Sequence, residues 1–191
     1  TIEGSSYEKV IITVTANVAS NIDAADITFK GVTLRGSNSS GSGGTYMQAT
    51  AKAANVTFEG CHSTRMNSFF KHQSGTNSVK LTIENSKISD IGQFLVWNTK
   101  PGDIYFINNE VDAASCGAVV NEAACLMRAR GAGKVYIYGN VITGTTMSID
   151  GIVEGGADCE LVEVKYNVFK GVTKFVHINT SASKPVVFDE N

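Results

Sequence analysis

One string of six residues recurs along this chain, and a string repeated at this interval restricts the fold more than any other feature of the sequence. Its copies are Ile27–Val32, Val56–Cys61, Leu81–Ser86, Ile104–Asn109, Val135–Asn140, Val162–Asn167 and Val186–Asn191. Thr1–Ser5 fits an eighth copy that lacks its first residue. Successive copies begin 23 to 31 residues apart. The first and third positions are always apolar, and the second and fourth are mostly Thr, Tyr, Glu or Lys. That period of two describes a strand with one face buried. Position five is Gly or Asn in five of the seven copies, residues that tolerate the positive φ of a tight turn. Position six is Asn in the last four: Asn109, Asn140, Asn167 and Asn191. Position eight is apolar again in Leu34, Ile88, Val111, Ile142 and Phe169, with Ser63 the exception. A strand therefore runs in, turns through two residues, and gives way to a second short strand.

A third strand is read late in most repeats, in Tyr46–Ala51, Phe69–His72, Phe94–Asn98, Cys125–Arg130, Ile149–Glu154 and Val176–Thr180. Three short strands per repeat describe one coil of a parallel β-helix, in which like positions stack at the strand spacing of about 4.8 Å. The expected fold is all-β: a single right-handed parallel β-helix of about seven coils with a partial asparagine ladder. A sandwich has no reason to repeat the same string at this interval. The mixed Val, Ile and Phe columns do not suit a leucine-rich repeat, and the hexapeptide period of a left-handed β-helix is missing.

Composition agrees and excludes several functions. Hydrophobic residues make up 42% of the 191 and charged residues 18%, so a packed core is expected rather than disorder. The net charge of -2 offers no basic excess for a run of phosphates, so no nucleic-acid partner is expected. No apolar run approaches the roughly 20 residues of a membrane-spanning helix. There is no Gly-x-Ser-x-Gly elbow, phosphate loop or dinucleotide fingerprint. The Gly/Ser-rich stretch at 36–44 reads as a loop. His62, His72 and His177 form no metal-ligand cluster in sequence, and Cys61, Cys116, Cys125 and Cys159 contain no C-x-x-C pair. Cys61, in the turn column, reads as a small buried group; Cys116 and Cys125 bracket one loop and can bridge in an oxidising compartment.

The column Asn109, Asn140, Asn167, Asn191 resembles the asparagine ladder of right-handed β-helices of the pectate-lyase type. The phrases Asn55–Ser63 (NVTFEGCHS) and Leu81–Gly92 (LTIENSKISDIG) also resemble β-helical modules of secreted or surface lipoproteins from glycan-degrading gut bacteria. The resemblance is specific for the fold and unspecific for activity. It implies that the late strand and the loop before it line a polysaccharide groove. Alternation along that strand turns Met127, Ala129, Val96, Val176 and Ile178 inward. Arg128, Arg130, Trp97, His177 and Asn179 then face out, with Gln48, Lys71, Asp150 and Glu154 as neighbours. A slip of one residue reverses the assignment, and the choice between Lys71 and His72 is the most exposed to it.

The face expected to bind ligand is thus Lys71, Trp97, Arg128, Arg130, Asp150, His177 and Asn179. An exposed Trp97 can stack on a sugar ring, and Arg128 and Arg130 can fork onto uronate carboxylates. The same arginines can instead pair with Asp150 and Glu154 one coil on. A lyase would need a base, for which Lys71, Arg128 and His177 are the candidates, and a cation to acidify the proton beside the carboxylate. Calcium would have to be held by Asp150 and Glu154, with Asp158 nearby, and a spacing that puts at most two on one strand face is thin for that ion. No cofactor is expected otherwise.

The resulting expectation is an extracellular, periplasmic or cell-surface module that recognises a polysaccharide, acidic or not, without catalysis of its own. The alternatives are a lyase on uronic-acid glycans and a structural spacer or fibre segment. The chain reads as one domain over 1–191 and as part of a longer protein. Head-to-tail stacking of copies is the other way to cover its open strand edges.

Overall fold

The computed structural model describes residues 1–4, 10–14, 19–37, 45–73, 75–92, 95–112, 127–143, 153–155, 159–171, 176–178 and 186–191, of which 19, 153–155 and 176–178 as backbone alone. The described strands form three parallel sheets of eight, seven and seven strands, with no helix among the described residues. Each sheet takes every third strand in chain order, which is the connectivity of a β-solenoid. The first sheet holds the recurring string, from Ile2–Glu3 to Val186–Asp189. The second holds the short strand after the turn, such as Lys87–Ser89 and Glu110–Asp112. The third holds the late strand: Ala19–Ile22, Tyr46–Ala49, Phe70–His72, Val96–Asn98, Met127–Ala129, Val153–Gly155 and Val176–Ile178. As no described segment is helical, none is a helix long and apolar enough to cross a membrane.

Registers confirm the columns of the string. Ile2, Phe29, Phe58, Ile83, Phe106, Ile137, Val164 and Phe188 lie one above the next in the first sheet. Phe29 and Phe58 stack with ring centroids 5.0 Å apart and planes 9° apart. In the second sheet Leu34, Ser63, Ile88, Val111, Ile142 and Phe169 share one row. Ser63, the polar exception, is buried there, and its hydroxyl donates to the Met66 thioether at 3.3 Å. A hydroxyl given a partner is tolerated in an apolar row.

The turn column is more uniform in conformation than in sequence. Gly31, Gly60, Asn85, Asn108, Gly139, Tyr166 and Glu190 all have φ between 50° and 65°. Tyr166 and Glu190 enter this region at a cost of about 1–2 kcal/mol, in the column where the other coils use Gly or Asn.

The ladder follows one position later. Asn140 Oδ1 accepts from Asn109 N at 2.7 Å and from Asn109 Nδ2 at 3.0 Å, while Asn140 Nδ2 donates to Phe106 O and to Asn167 Oδ1, each at 2.9 Å. Asn167 repeats the pattern with Asn191 and Ile137 O. Above, Ser86 N donates to Asn109 Oδ1 at 2.9 Å, and Ser86 Oγ accepts from Cys61 N at 3.0 Å. The ladder thus extends one rung before its first asparagine, through Ser86. Cys61 is buried and unpaired with another cysteine, and burial pushes its thiol pKa up. Cys116 and Cys125 lie outside the described residues.

Asn140→Ala strands the Phe106 carbonyl and two donors of Asn109, and should lower stability by about 3 kcal/mol or more. Asn191→Ala, at an exposed rung, should cost clearly less; urea unfolding midpoints check the order. Gly60 has open space where a Cβ would stand, so Gly60→Ala should cost only the left-handed strain, about 1 kcal/mol. Gly102, at φ 135° with the Val79 backbone against it, should not accept alanine without losing the fold, which yield and circular dichroism would report.

Candidate functional site

Gln48, Lys71, Trp97, Arg128, Glu154 and His177 fall in one register row of the third sheet. The strands between them are short and alternate strictly. Val96 and Asn98 are buried on either side of the half-buried Trp97, and Met127 and Ala129 flank Arg128 in the same way. Lys71 shares this row, whereas His72 points to the other face and is 0% exposed.

The outward row is not an open surface. Lys71 is 7% exposed and Arg128 8%. Lys71 Nζ lies 4.1 Å from the centroid of the Tyr46 ring and 4.8 Å from that of Trp97. Arg128 Cζ lies 5.4 Å from the Trp97 centroid. Lys71 comes from the coil before Trp97 and Arg128 from the coil after it, so the indole is flanked by a cation on each side. A cation taken out of water needs compensation, and an aromatic face supplies up to about 2 kcal/mol when the contact is dry. In this arrangement a sugar ring would have to displace a cation to stack on Trp97. What the row holds instead is two nearly buried cations with the indole between them, and Glu154 next in register after Arg128.

The other expected residues are placed less closely. Arg130 is exposed, one residue beyond the strand Met127–Ala129 and outside the row. Glu154 and His177 enter the row by backbone register alone. Asp150 and Asn179 lie outside the described residues, as does Asp158. Among the described residues no three His, Cys, Asp or Glu side chains converge as a metal site.

Tyr46 was missed by the sequence reading. Its place two residues before Gln48 on one strand puts it on the same outward face, and that periodicity was the available signal. A second aromatic array was also missed. On the first sheet Tyr105 and Tyr136 stack at 5.0 Å, Tyr136 meets Tyr138 edge-on at 5.8 Å, and Tyr138 meets Tyr166 at 6.5 Å. Lys80 Nζ sits 5.0 Å from the Tyr105 centroid, and the Tyr138 hydroxyl donates to Glu163. Burial and the carboxylate beside it raise the Tyr138 pKa, and the same bond lowers that of Glu163.

On the second sheet His62 Nε2 is 3.3 Å from Ser89 Oγ, which donates to Thr64 Oγ1 at 3.2 Å. Burial, with Lys87 and Arg35 nearby, pushes the His62 pKa down. A polar cleft of about 260 Å³ lies beside the ladder, lined by Asn85, Ser86, Lys87, Asn108 and Glu110. It is bordered by the Lys87–Glu110 ion pair at 3.3 Å and holds none of the row residues.

Compared with known protein families, with curated proteins and with solved structures, the chain finds no match.

The contact between Lys71 and Trp97 should be energetically measurable. A double-mutant cycle of Lys71→Met and Trp97→Leu, read by urea unfolding, should give a favourable coupling of about 1–2 kcal/mol. A coupling indistinguishable from zero would mean that the ammonium is not held by the ring.

Proposed function

We propose that this chain is an extracellular or cell-surface module that recognises an acidic polysaccharide through the outer face of its third sheet, without catalysis of its own. The observation that carries the proposal is the in-register strip of Lys71, Trp97 and Arg128. Two cations about two strand spacings apart, with a neutral ring between them, favour a ligand that carries negative charge at regular intervals. A parallel solenoid suits a linear polymer, because its residues stack along a straight axis. The likeness of the string to pectate-lyase-type β-helices, which implies a right-handed coil and a resemblance to modules of surface lipoproteins, supports the same reading.

The test is binding to polygalacturonate, alginate and glycosaminoglycans, followed by affinity electrophoresis and by ultraviolet absorbance for unsaturated products. Retention that weakens with salt is expected, with a loss of tenfold or more in Arg128→Ala and Trp97→Ala and no absorbance gain. Failure to bind any of these polymers would overturn the proposal, and an absorbance gain would replace recognition by lyase activity.

A further inference from the structure

His72 lies directly behind the strip just described. It follows Lys71 on the strand Phe70–His72, and alternation sends its ring into the core where Lys71 goes out. The residue is 0% exposed, and both ring nitrogens are buried without a hydrogen-bond partner. Its register partner on the next coil is Asn98, 3% exposed, whose Oδ1 accepts from Lys100 N at 3.0 Å. At the corner beyond the strand stands Asn77. Its Nδ2 donates to Thr50 O and Ala53 O, at 3.1 and 2.5 Å, and its Oδ1 is buried and unpartnered. Asn77 and Asn98 are thus the polar groups facing the ring, and both favour its charged form. The charged group acting on it is Lys100, which opposes protonation, and burial opposes it more strongly.

A neutral imidazole can live in such a place, since it needs one acceptor and one donor, and the Asn77 carbonyl is available. An imidazolium has two donors and a full charge, with no carboxylate of the described residues acting on it, and burying it is costly. The cost can be avoided by moving the strand, which is three residues long. The same strand carries Lys71 against Tyr46 and Trp97.

We propose that protonation of His72 opens the strand Phe70–His72 and dismantles the Lys71–Trp97 contact, so that the third-sheet face is assembled at neutral pH and released on acidification. Only the last step, ligand release, rests on the function proposed above. The sign follows from proton uptake. The ring takes up fewer protons folded than in the opened strand, so the stabilisation is complete above the free-imidazole value of about 6.5 and falls away as pH drops from there toward the lowered native value.

The chain contains three histidines and one tryptophan, which makes the test direct. Trp97 emission is followed from about pH 8 to about pH 5, above the range in which carboxylates titrate. The expected result is a cooperative change with its midpoint below about 6.5, lost in His72→Gln and kept in His62→Gln and His177→Gln. No change in the native chain, a change that survives in His72→Gln, or one abolished by either other substitution would overturn the proposal. Should His72→Gln fail to fold, the ring-proton resonances of the native chain serve instead. One histidine titrating in step with Trp97 and assigned to His72 supports the switch, and a His72 that titrates without effect on Trp97 overturns it. Polygalacturonate retention over the same range separates the two proposals. A Trp97 transition without binding at any pH leaves the switch standing and removes the glycan reading. Binding that persists through the transition removes ligand release.

Discussion

The structure depends on one constraint: each coil of backbone lies directly over the last, so that every position finds its own counterpart one strand spacing away. The buried ladder enforces it. The carbonyls of Asn140, Asn167 and Asn191 each accept from the backbone and side chain of the asparagine in the coil before, and each amide returns a bond to that coil's carbonyl. Asn109, Asn140 and Asn167 are shut away from water at the corner, where a missed bond costs far more than a made bond gains. A coil that slipped by one residue would forfeit several at once and would also turn its apolar positions outward.

The left-handed turn column is the local counterpart of that constraint. Tyr166 and Glu190 adopt a conformation their side chains disfavour, at the positions where other coils use Gly or Asn. Neither is selected for the turn by its own propensity. The hydrogen bonds of the neighbouring coil impose the path, and the strain is small beside the register it preserves.

Stacking acts on the outer faces too, where it brings together groups that are far apart in the chain. On the first sheet it stacks Tyr105 on Tyr136, with Tyr138 and Tyr166 meeting edge-on beyond them. On the third it sets Lys71 and Arg128 on either side of Trp97. On the third sheet the indole is thus taken up by the protein's own cations. Lys71 and His72 show how sharply the two faces of one strand differ: adjacent residues, one held by aromatic rings and the other enclosed without a counter-charge.

The solenoid was legible because it is periodic. Apolar positions one and three, the turn residue at five and the asparagine at six each repeat a physical demand, and repetition lifts such a signal above that of any single segment. The strand that carries the candidate site was legible as well, along with its inward and outward residues at Val96, Trp97, Met127 and Arg128. Alternation says which way a side chain leaves the sheet, but not what it meets there. That Tyr46 and Trp97 take up Lys71, that Arg128 closes over the same indole, and that His72 is sealed between Asn77 and Asn98 depend on distances across coils. Those distances come from packing in three dimensions, where neighbours are set by register and corner geometry rather than by order along the chain.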